Sequence, residues 1–84
     1  MHPIKGHIYA VGTGSFVGEM FVFIEETNDT YEFISIPKNQ NRSVPKDKFI
    51  FGLNNKILEY VNQIDKDVLV LLEKQFVFNK NLDK

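Results

Sequence analysis

Over residues 4–11 apolar and polar positions alternate with a period of two. Ile4, Gly6, Ile8 and Ala10 share one face and Lys5, His7, Tyr9 and Val11 the other, the pattern of a half-buried strand. Over residues 19–26 both faces are apolar, with Met20, Val22 and Ile24 opposite Phe21 and Phe23. A strand that wants cover on both sides belongs at the centre of a sheet. Residues 12–18, GTGSFVG, join the two as a long hairpin turn in which glycines supply positive φ. The turn formers of residues 27–30 lead into a third strand over 31–36, which Pro37 ends because proline cannot donate to the ladder.

Further on the pattern predicts a polar loop over 38–41, a short strand over 42–44, a tight turn at 45–48 and a fifth strand at Phe49-Ile50-Phe51. After Gly52 the period changes. Ile57, Val61, Ile64, Val68 and Leu71 recur at spacings of four, three, four and three, one apolar stripe along a helix over 54–76 that Leu58, Leu72 and Phe76 widen. Asn54 or Asn55 can cap its start. Asp65 can cap a second helix at Lys66, but the apolar phase runs through it, so one helix or two in line both satisfy the spacing. Val68 to Leu72 also reads as a buried strand, though without flanking turn residues.

The expectation is a single, mainly β domain. Residues 1–53 form a small five-stranded antiparallel sheet, either an SH3-like barrel or a curled sheet, with an OB-type barrel as a further alternative. Residues 54–78 form the helical segment and 79–84 a frayed tail. The SH3-like reading rests on layout alone: a long first turn, short later ones and a one-turn break before the last strand.

With 84 residues the chain forms one domain with a small core, and 25% charged and 13% aromatic residues exclude a disordered chain. The formal net charge of −1 gives no global pull toward nucleic acid or anionic membrane. Absence of cysteine excludes disulfides, thiolate metal sites and a Cys nucleophile, and points to a reducing compartment. With no signal-peptide pattern and no apolar run of membrane-spanning length, a cytoplasmic, soluble protein is expected. Nine lysines against the single Arg42, with eight Asn and one Ala, are a composition associated with AT-rich coding, compatible with a phage or mobile-element origin.

Catalytic chemistry finds little support. The glycine spacing departs from a dinucleotide fingerprint at Val17, and a P-loop would need Lys then Ser or Thr where Glu19 and Met20 stand. His2 and His7 lack the partners of a metal shell, and neither Ser15 nor Ser43 sits in a nucleophile motif. Glu19 after Gly18 stands where a general base at a loop mouth could stand, but a lone carboxylate at a strand start is usually solvated. No cofactor, metal or enzymatic activity is expected.

Three surfaces are candidates for binding. Phe16 and Val17 at the glycine-rich turn either fold back as a lid on the core or meet a partner. Lys38, Arg42, Lys46 and Lys48 make a locally basic segment near aromatic strands, suited to phosphates and bases or to an acidic protein. Leu69 and Val70 belong to a helical stretch apolar nearly all round, which either covers the sheet or packs on another subunit. The expected function is that of a non-catalytic protein-binding or regulatory module, with its own copy among the candidate partners. Nucleic-acid binding through the 38–48 loop and a structural role in a larger assembly are the alternatives.

Overall fold

The two-faced strand is the centre of the molecule. In the computed structural model, which describes residues 2–82, the elements run β1 (His7–Val11), β2 (Met20–Glu26), β3 (Thr30–Ile36), β4 (Asn41–Pro45), α1 (Lys46–Asn54), β5 (Leu58–Gln63) and α2 (Lys66–Leu82). The strands form one antiparallel sheet in the order β4-β3-β2-β1-β5, open at both edges, so a closed barrel is not formed. Side chains alternate across it and build two separate cores. Tyr9, Val11, Phe21, Phe23, Tyr31 and Phe33 face one side and meet Phe49 of α1 and Leu58. Val22, Ile24 and Ile34 face the other and meet Phe76 of α2, with Ile64, Leu69 and Leu72 around them.

The first core is largely aromatic. Phe49 lies between the rings of Phe33, stacked at 5.7 Å, and Tyr31 and Tyr9, both edge-on at 5.1 and 5.2 Å. Offset and edge-to-face contacts of this kind are the favoured ring geometries, and they add to the burial of the rings themselves.

Residues 49–51 form part of α1, which corrects the fifth strand expected there. A strand would place Phe49 and Phe51 on one face. In the helix Phe49 and Gly52 are buried and Leu53 half-buried, at spacings of three and four, while Phe51 is 60% exposed. Glycine at position 52 lets the helix approach β5 closely: a Cβ there would stand 3.1 Å from Leu58 Cδ1.

The fifth strand is instead β5, which takes the place of the first part of the one helix, or two in line, expected over 54–76. Lys56, at φ 58°, turns the chain out of α1, and β5 then pairs along β1 from Val11↔Leu58 to His7↔Gln63. The open edge of β1 offers a row of backbone hydrogen bonds, and that non-local gain overrides the helical period. Helix resumes at Lys66, and the Asp65 carbonyl accepts from the Leu69 amide. The expected tail is partly helical too, since α2 continues through Leu82; residues 83 and 84 lie outside the described residues.

Phe49→Ala should therefore cost about 3–5 kcal/mol in urea unfolding, whereas Phe51→Ala should cost under about 1 kcal/mol. Equal losses would put the two rings back on one strand face.

Candidate binding cleft

The β1–β2 loop, β4, α1 and the start of β5 leave a cleft of about 1060 Å³ between them. Val11, Phe16, Phe21, Val44, Phe51 and Leu58 give it an apolar lining, and Arg42, Asp47 and Lys48 are the charged residues beside them. It lies on the α1 side of the sheet, where the two edge strands are joined only through the helix.

The loop forming one wall is folded back rather than extended. Gly14 and Gly18 have φ of 89° and 88°, and the Val17 and Glu19 amides donate to the Gly14 and Phe16 carbonyls. The Phe16 ring consequently sits 6.0 Å from that of Phe21 and under the Arg42 guanidinium, whose Cζ is 4.3 Å from the ring centroid. Phe16 remains 42% exposed and Val17 60%.

Glu19 anchors this wall. Its carboxylate is buried, and it accepts a short hydrogen bond from the Ser35 hydroxyl together with Arg42 Nε at 3.2 Å and Nη2 at 3.3 Å. Burial pushes the carboxyl up, but the Ser35 hydroxyl, the Arg42 guanidinium and the Lys38 charge outweigh it and hold Glu19 below the usual carboxylate range. The solvated carboxylate expected at this position is thus a buried ion that ties the loop to β3 and β4. Two signs lay in the sequence, a carboxylate beginning an apolar strand and a single arginine to match it.

On the other side of the cleft runs an unpaired strand edge. Ser35 N–H donates to Gln40 O and Lys46 N–H to Asp29 O, in register with Tyr31↔Val44 and Phe33↔Arg42. Antiparallel ladders alternate, so residues 42 and 44 bond to β3 while the N–H and C=O of Asn41 and Ser43 point away from it; Pro45, the N-cap of α1, gives its carbonyl to the helix. The four groups of Asn41 and Ser43 form a donor and acceptor row beside apolar side chains.

The eight sequence candidates separate in space. Phe16, Arg42 and Lys48 line the cleft. Lys46 is held by Glu26 at 2.5 Å, with its ammonium 5.4 Å from the Tyr31 ring centroid, and its hydrogen bond holds Glu26 below the usual range. Lys38 is exposed beyond the end of β3. Leu69 is half-buried, with Cδ2 3.3 Å from where a Cβ on Gly6 would stand, and Val70 is 51% exposed on α2. Sequence reading missed Val44, Phe51 and Leu58 as lining residues, because only the chain reversal through α1 brings them together.

The histidines make ordinary contacts. His2 Nδ1 is 3.2 Å from the Tyr31 hydroxyl and the His7 ring packs edge-on against Tyr60 at 4.9 Å. Among the described residues no three His, Asp or Glu side chains come together as metal ligands, and no helix is long and apolar enough to cross a membrane. Comparison with protein-family models, curated proteins and solved structures gives no match.

Arg42→Ala leaves the buried Glu19 charge without its main partner and should cost roughly 3 kcal/mol, measured by urea unfolding at pH 7. Glu19 itself sets a pH dependence. With a depressed folded-state value, its contribution is present above the unfolded value of about 4.3 and is lost as pH falls through the folded one. Glu19→Gln should flatten the acid limb of stability below about pH 4.3. Part of that limb persists through Glu26, and an unchanged limb would remove Glu19 from it.

Proposed function

We propose that the protein is a small non-catalytic binding module that takes an extended segment of another protein into the cleft, paired to the free edge of β4. The observation supporting this reading is the juxtaposition of the unpaired Asn41 and Ser43 backbone groups with the apolar side chains of Val44, Phe16 and Phe51. An added strand would satisfy the backbone groups and send alternate side chains into the cleft, the usual division between affinity and specificity in strand addition. The five-residue β4 suits a short linear segment.

In the same reading the sheet is an opened SH3-like layout, with α1 bridging the edge strands β4 and β5 and the cleft occupying the seam. The module is taken to act in the cytoplasm, where its cysteine-free sequence needs no oxidising environment. Nucleic-acid binding through residues 38–48 is less well supported. Of its four cations, Arg42 is neutralised by Glu19 and Lys46 by Glu26.

Selection of ligands from a library of random peptides tests the proposal. Enriched peptides should be extended and alternately apolar, should slow hydrogen exchange at the Asn41 and Ser43 amides, and should keep their affinity from low to high salt. Phe51→Glu should weaken binding at least about tenfold, equivalent to 1.4 kcal/mol, without loss of fold. Failure to enrich such peptides, alongside binding to single-stranded DNA or RNA that falls steeply with salt, would replace the proposal with the basic-loop reading.

A further inference from the structure

α2 carries two seams of side chains. One, at Leu69, Leu72 and Phe76, rests on the sheet. The other, at Val68, Leu71, Gln75, Phe78 and Leu82, follows spacings of three, four, three and four and lies about a third of a turn round the helix from the first. Its apolar members are solvent-facing, with exposures of 41% for Val68, 64% for Leu71, 56% for Phe78 and 66% for Leu82. The helical hydrophobic stripe is therefore more than the sheet uses.

We infer that this second seam joins two copies of the chain in a two-fold dimer through α2. Alternating three and four is the spacing that lets one helix interlock with another at a shallow angle, and a two-fold axis needs only one such surface, matched to itself. Gln75, the single polar member, is half-buried at the middle of the seam and gives one hydrogen to Asn79 Oδ1 at 2.8 Å. Its second N–H and its carbonyl remain for the same amide of the partner copy, a pairing that an amide makes with itself and an all-apolar partner surface could not supply.

Area sets the strength. The four apolar side chains present roughly 400 Å² to solvent, a large patch for a monomer but about half of the ~800 Å² per partner of a standard interface. Polar neighbours bring the contact closer to that size, and the dimer dissociates in the micromolar to millimolar range, roughly. The seam and the cleft are on opposite sides of the sheet, so the dimer would carry two clefts.

Sedimentation equilibrium of the purified chain from about 10 μM to about 1 mM tests the pairing. The mass should rise with concentration from 9.8 kDa toward twice that value and stop there. Leu71→Glu and, separately, Phe78→Gln should weaken association at least tenfold with unchanged circular dichroism, because both side chains are exposed in the monomer. Val77→Glu on the far flank of α2 and Phe51→Glu in the cleft should leave association as it is, which keeps this outcome apart from the fate of the peptide-binding proposal. A monomer up to 1 mM, growth beyond two copies, or association indifferent to both seam substitutions would overturn it.

Discussion

A strand with large apolar side chains on both faces cannot be buried by one layer. Phe21 and Phe23 on one side of β2, and Val22 and Ile24 on the other, oblige this short chain to place something above and below its sheet. The neighbouring β3 repeats the condition with Tyr31 and Phe33 opposite Ile34. From this follow the division into two cores and the assignment of one helix to each face. The helices differ because the faces do: α1 inserts one ring, Phe49, into an aromatic cluster, whereas α2 lays a row of side chains over branched aliphatic ones. A nine-residue helix suffices for the first task and a seventeen-residue helix is used for the second.

This constraint also explains what was legible in the sequence. β1 to β4 follow from local alternation and from turn residues at their ends, and all four are present close to the expected positions. The second half of the chain was harder because local and non-local preferences disagree. Phe49-Ile50-Phe51 alternates like a strand, yet the ring of Phe49 is wanted between Tyr9 and Phe33, and a helix presents it there without also burying Phe51. Residues 57, 61 and 64 keep a helical period, yet the edge of β1 claims 58–63 for pairing. In each case the deciding partner stands far away in sequence. The candidate site was legible in part for the same reason. Its loop, arginine and a lysine could be singled out individually, but the cleft exists only where α1 turns the chain back across the sheet.

The Glu19–Arg42 pair has a different standing from the surface ion pairs. Lys5–Glu73 and Lys80–Glu25 are exposed and contribute little individually. Glu19 is desolvated, so its retention requires the Ser35 hydroxyl and both nitrogens of the guanidinium in place together. That requirement fixes where the glycine-rich loop sits relative to β4, and through Phe16 it shapes one wall of the cleft. A loop with three glycines would otherwise be free to move. The ion pair therefore contributes positioning more than net stability, and the wall it holds is formed by the chain's own contacts.

The sheet has two edges, and they are treated unlike one another. β5 is exposed beyond Leu58, carries Glu59, Asn62 and Gln63, and is broken by a register shift opposite Ile8 and Tyr9. Charge, polarity and a bulge are the usual means of discouraging a further strand. β4 has its proline at the last position, which removes one donor but leaves Asn41 and Ser43 complete. It also borders apolar side chains instead of polar ones. An edge left open beside an apolar floor would be a hazard for aggregation unless its reach were short, and here α1 begins at the residue after Pro45 and stops any longer ladder. The restriction to a few residues allows a free edge to persist in a molecule that blunts its other one, and it is the physical argument for reading β4 as a surface kept open for a partner.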